Sequence, residues 1–138
     1  MTNICRAVVA AIVLSGLMSV FIGPALAFDL TGAWATSADQ CNKVFVKGKS
    51  GQVTFAPDSE VFGGGFIAEP NRLVGRFANC TIKSKKDDGE IVNMIASCAS
   101  DIMLSSVQFE LKVVDQNKIM RLFPGMEDMQ VYYYRCQF

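Results

Sequence analysis

The sequence predicts an all-β fold, a single small antiparallel β-barrel of about eight or nine strands stapled by disulfides, with a two-sheet β-sandwich as the alternative. Three observations lead there. Short runs rich in Val, Ile, Phe, Tyr and Thr recur along the chain, several of them alternating apolar with polar residues, which is how half-buried strands read. Gly, Pro, Asn and Asp separate these runs, and they are the residues tight turns need. Beyond an N-terminal export segment lie four cysteines, an even number suited to two cross-links.

The N-terminal segment differs from the rest. Nineteen of the first 27 residues are apolar and Arg6 is their one charge. An apolar run from Ala7 to Ile22, the breaker Gly23-Pro24 and the small residues of Ala25-Leu26-Ala27 together form a secretory signal pattern. The run is short of the roughly 20 residues a spanning helix needs. Cleavage after Ala27 is therefore expected, leaving residues 28–138 as one β-barrel domain with no membrane span, periplasmic or secreted. Removing residues 1–27 leaves 111 of the 138 residues, with 12 basic and 13 acidic groups and a net charge of −1. Cys5 leaves with the segment.

The strands follow in order. Leu30–Thr36 is a first short strand; Val44–Lys47 and Gln52–Ala56 flank the turn Gly48–Gly51. Ser59–Phe62 is read as another strand, and Gly63-Gly64-Gly65 as a bulge or sharp bend before Phe66–Ala68. Arg72–Ser84 is read as one long strand, with Lys85–Gly89 as a charged turn and Glu90–Ser97 as its partner. Ser100–Ser105 is the one stretch that suits a helical turn. In Ser106–Val114 the residues Val107, Phe109, Leu111 and Val113 share one face. Ile119–Phe123, a loop to Asp128 and a final strand, Met129–Cys136, complete the barrel.

Four cysteines permit three pairings. Cys80 and Cys98 flank the Lys85–Gly89 turn, with their midpoint at Gly89, so a hairpin there sets them opposite one another. The remaining pair, Cys41 with Cys136, then ties the first connection to the last strand. Separations of 39, 18 and 38 residues lack the close Cys pairs of zinc sites.

Several functions are excluded or disfavoured. Zero net charge over 138 residues lacks the basic footprint of a nucleic-acid binder. The absence of histidine removes Ser-His and Cys-His catalytic pairs and His-containing metal sites. Gly63-Gly64-Gly65 is followed by strand residues and lacks the Lys-Ser/Thr and helix of a phosphate loop. Lys85–Glu90 lacks calcium-loop spacing and reads as a solvated hairpin. No metal or cofactor is expected, and Asp101 beside Ser105-Ser106 is the only cluster worth testing for catalysis.

Leu30-Thr31-Gly32-Ala33-Trp34 resembles the opening strand of lipocalin-like and avidin-like barrels. It also resembles small periplasmic protease inhibitors of the alkaline-proteinase-inhibitor type, in which such a Gly-x-Trp strand is soon followed by a cysteine, as Cys41 follows here. The chain departs from that pattern in having four cysteines. In lipocalins a late basic residue packs over the tryptophan, and Arg135 is the position that matches; Gly32, Trp34 and Arg135 are thus expected to be structural. The mature chain is also similar to a group of small exported proteins of Gram-negative bacteria, a likeness that names no activity.

The C-terminal third holds the candidate binding residues: Arg121, Phe123, Met126, Tyr132, Tyr133 and Tyr134. Tyrosine and arginine are favoured in binding hot spots, and the loop from Phe123 to Met129 adds apolar and acidic side chains at one barrel end. The expected function is a non-catalytic, monomeric binding module, protein-binding or inhibitor-like. The alternative is a carrier of a small apolar ligand inside the barrel, as the lipocalin resemblance implies. Bulky Phe45, Phe55, Phe66, Phe77, Phe109 and Phe123, if they all point inward, leave little room for such a ligand. A hydrolytic enzyme is the least favoured reading.

Overall fold

A computed structural model describes residues 27–138. The expected secretory segment, residues 1–27 with Cys5, lies outside the described part except for Ala27.

The described residues form ten strands and one short α-helix: β1 Gly32–Ala35, α1 Cys41–Val44, β2 Phe45–Lys47, β3 Val53–Phe55, β4 Gly65–Glu69, β5 Arg72–Gly75, β6 Ala78–Asp87, β7 Ile91–Ser100, β8 Leu104–Asp115, β9 Lys118–Leu122 and β10 Gln130–Arg135. Eight of these close an antiparallel barrel in the order β1-β10-β9-β8-β7-β6-β5-β4. From β4 to β10 it is a simple meander, and closure pairs every strand edge in the ring. β2 and β3 form a separate hairpin, inserted between β1 and β4.

Period-2 alternation decides which side chains enter the barrel. Val107, Phe109, Leu111 and Val113 of β8 join one core with Trp34, Leu73, Val92, Met94, Ala96 and Ile119. The opposite faces of β1 and β4 meet the hairpin, so Ala33, Ala35 and Ile67 pack with Val44, Phe45, Phe55, Cys41 and Cys136 in a second core on the outer wall. Gly65 makes this contact possible. A Cβ there would lie 2.6 Å from the Trp34 carbonyl oxygen and 2.9 Å from the Phe45 ring.

Both disulfides join the expected pairs, one set by the hairpin and the other by elimination. Cys80 and Cys98 are direct partners across β6 and β7, and Cys41 bonds Cys136 across 95 residues. A bulge between Ile82 and Ser84 shifts the β6–β7 register by one, which reconciles the paired cysteines with the position of the turn.

Local expectations fail where tertiary context overrides pattern. Ser59–Phe62 is a 3₁₀ turn with buried Ser59 at its start, not a strand, and Val44, expected to open a strand, instead ends a helical stretch from Ala38. Arg72–Ser84 is two strands, broken at Arg76-Phe77 where the chain reverses between β5 and β6. β6 runs through the charged stretch to Asp87, because one face of that stretch is solvent. The Ser100–Ser105 stretch forms no helix: it turns β7 into β8. Gly63 and Gly64 lie ahead of β4, while the bulges sit between Ile82 and Ser84 and between Val113 and Asp115. Only Phe66 and Phe109 of the six phenylalanines pack in the barrel core. Phe45 and Phe55 belong to the hairpin, Phe77 is 69% exposed, and Phe123 follows β9 at the barrel mouth.

Candidate functional site at the open barrel end

Because the strands alternate in direction, their connections divide into two sets. The β4–β5, β6–β7 and β8–β9 turns lie at one end, with the N-terminal residues. The β5–β6, β7–β8 and β9–β10 connections and the approach to β4 lie at the other. The two ends differ in chemistry.

The first end is closed. Phe28 and Leu30 are buried there against Trp34, which is itself fully buried. Trp34 Nε1 donates to the Leu30 carbonyl at 2.8 Å, and the Arg135 guanidinium carbon lies 4.3 Å from the Trp34 ring centroid. Arg135 Nε donates to the Gln116 carbonyl at 3.0 Å. Its Nη1 and Nη2 donate to the carbonyls of Thr31 and Asp29. One cation therefore fastens the N-terminal segment, the β8–β9 turn and β10 together. Gly32 lies beneath it with φ of 128°, where a Cβ would be 3.3 Å from Arg135 Nη1. The Asp29 carboxylate accepts the Thr31 amide at 2.9 Å. Hydrogen bonding from the Thr31 backbone and side chain holds Asp29 below the ordinary aspartate range against the opposing effect of burial, with lesser help from the Arg135 and Lys85 charges. The Phe28 amide nitrogen donates to Asp87 Oδ2 at 3.0 Å. The Asp87 and Asp88 carboxylates otherwise accept amides of their own turn, at Gly89 and Ile91. Their oxygens close a hairpin, and no metal-binding group of three His, Cys, Asp or Glu occurs among the described residues.

The second end is open and apolar at its rim. Phe77 stands on the β5–β6 turn, Ile102, Met103 and Leu104 on the β7–β8 turn, Met126 and Met129 on the β9–β10 loop, and Val61 and Phe62 ahead of β4. All are exposed, Ile102 by 91%, Leu104 by 80% and Val61 by 74%. The same connections carry Asp58, Glu60, Asp101, Glu127 and Asp128, of which Glu60 pairs with Arg76 at 3.4 Å.

Inside this mouth is a cavity of about 160 Å³, walled by Phe66, Leu73, Cys80, Leu111, Tyr133 and Arg121 among others. A wider, more open depression of about 370 Å³ shares Ala78, Cys80, Phe109 and Arg121 with it and reaches Met103. The guanidinium carbon of Arg121 lies 4.7 Å from the ring centroids of both Phe109 and Phe123. Its Nε is buried without a hydrogen-bond partner among the described residues.

The six candidate binding residues divide between two regions. Arg121 and Tyr133 line the cavity, with Phe123 stacked on Arg121 and Met126 in the adjoining loop. Tyr132 and Tyr134 occupy the opposite face of β10, on the outer wall, where the Lys118 amine lies 4.5 and 5.4 Å from their ring centroids. Asp101, Ser105 and Ser106 are exposed, and no side-chain hydrogen bond joins them. The rim at Phe77 and Ile102–Leu104 was not singled out by sequence. The missed signal was the apolar run Ile102-Met103-Leu104 directly after a turn-forming Asp, read instead as the side of a helical turn. No protein-family model, curated protein or solved structure matches this chain.

Proposed function

We propose that this is a non-catalytic binding protein of the periplasm or secreted space, engaging a polypeptide partner through the open end of its barrel. The observation carrying this reading is the rim: four separate connections present exposed apolar side chains around one mouth. Apolar residues scattered singly over a surface need no explanation, but a convergent set marks a contact face. The charges on these connections favour a polypeptide over an anionic lipid surface. Five carboxylates stand there against Arg76, Arg121 and Lys43, which lies over Phe62, and anionic lipid selects clusters of basic residues.

Export is supported by the signal pattern of residues 1–27 together with two disulfides, which persist in oxidising compartments. No helix among the described residues is long and apolar enough to cross a membrane. The non-catalytic reading is supported by the absence of histidine and by the lack of any joined nucleophile and base at Asp101, Ser105 and Ser106.

The test compares the mature protein with a variant carrying Phe77→Ser, Ile102→Ser and Leu104→Ser, each immobilised and exposed to envelope extract. The wild type is expected to retain a discrete protein that the variant releases. Retention of nothing, equal retention by both, or wild-type sedimentation with lipid vesicles overturns the reading.

A further inference from the structure

We infer that the interior cavity binds a carboxylate carried on a compact branched or aromatic group, with Arg121 as the anion's partner. The inference goes beyond the rim reading and stands even if no partner protein is found.

The size argument comes first. About 160 Å³ is below the roughly 300–1,000 Å³ of sites for drug-sized ligands. It is close to the ~150 Å³ of an apolar cavity that admits benzene. The walls match that chemistry, since Phe66, Leu73, Leu111 and the Cys80 sulfur present no strong polar group. A phenyl or isobutyl group fits there, and a long acyl chain does not.

The charge argument is independent. Arg121 sits between two aromatic rings with Nε buried and unpartnered, and it belongs to neither salt bridge found among the described residues. Leaving a buried donor unsatisfied is unfavourable, so an acceptor that reaches it is favoured. The planar guanidinium fork is also the side chain best matched to a carboxylate, which it binds through two parallel hydrogen bonds. Contact with the Phe109 and Phe123 rings restrains that fork in advance and lowers the entropy lost when an anion docks. A compact apolar acid therefore satisfies both halves of the site at once.

The experiment titrates the mature protein with benzoate, with isovalerate and with the neutral benzyl alcohol, read by amide chemical-shift changes. Saturable shifts are expected around Phe109, Leu111 and Arg121, with benzoate at least tenfold tighter than benzyl alcohol. Arg121→Met, which keeps the apolar stem, is expected to abolish that preference while still admitting benzyl alcohol. A leucine-terminated peptide, free or amidated, distinguishes a polypeptide C-terminus from a free acid as the source of the carboxylate. Absence of saturable shifts with every carboxylate probe overturns the inference. So does equal affinity for benzoate and benzyl alcohol, or a benzoate preference that survives in Arg121→Met. If that variant does not fold, the wild-type preference decides alone.

Discussion

Arg135 lies over Trp34, 4.3 Å from its ring centroid, while donating hydrogen bonds to three backbone carbonyls. Trp34 fills the closed end of the barrel, and Arg135 ties the N-terminal segment and the β8–β9 turn over it. Charge-assisted hydrogen bonds contribute more than neutral ones, and a cation over an indole adds to them. Arg135→Met is therefore expected to cost about 2–4 kcal/mol in urea unfolding, with Arg135→Lys recovering part of it. A loss below about 0.5 kcal/mol, the scale of an ordinary surface substitution, contradicts this role.

The two disulfides should differ in worth. Cys41–Cys136 spans 95 residues and Cys80–Cys98 spans 18. Chain entropy then gives about 4–5 kcal/mol for the first and about 3 kcal/mol for the second. Paired Cys→Ala substitutions, compared by urea unfolding, are expected to show the larger loss for Cys41–Cys136. The reverse order would mean that the interior packing of Cys80 and Cys98 outweighs loop closure.

The acid limb of stability should carry a contribution from Asp29. Its folded pKa lies below the ordinary value, so the unfolded state takes up the proton first as pH falls. The stabilisation is complete above the unfolded aspartate range and is lost as pH drops through the folded value. Asp29 is largely solvent-exposed, so the effect is small. Asp29→Asn should flatten the stability–pH curve below the ordinary aspartate range; an unchanged slope there rules out the contribution.

Phe28 is the first residue expected after signal cleavage, and its backbone nitrogen donates to Asp87 Oδ2 at 3.0 Å. Processing there turns that amide into an α-ammonium and the hydrogen bond into an ion pair. Mass spectrometry of the exported protein is expected to show Phe28 as its N-terminus. Asp87→Asn is expected to destabilise the processed protein more than a form beginning at Met-Ala27. Equal effects in the two forms would show that the ion pair adds nothing.

Much of this architecture was legible in the chain, and the failures share a physical cause. The alternation in β8 and the cysteine spacing about Gly89 report local geometry, and both led to the correct face and pairing. What could not be read was context. Nothing in Phe45 or Phe55 says that they pack on the outside of the barrel; that depends on Gly65 letting the hairpin approach β4. The turn at Arg76-Phe77 interrupts a run that strand propensity alone would continue. At the open end, Arg121 stands out by residue type as a candidate, but its place beside both Phe109 and Phe123 requires β8 and β9 to be neighbours. The exposed run Ile102–Leu104 looked like ordinary apolar sequence, and only the topology places it beside Phe77 and Met126.

The central claim, that the open end is the contact face, is tested most directly by site-specific photo-crosslinking in the source cells. A photoreactive phenylalanine analogue is placed in turn at Phe77, Ile102 and Met126 on the rim, and at Ile95 and Tyr132 on the outer wall. The account predicts one discrete polypeptide adduct from the rim positions and none from the wall. Adducts from the wall alone, equal adducts from both sets, or no polypeptide adduct from any rim position would contradict it.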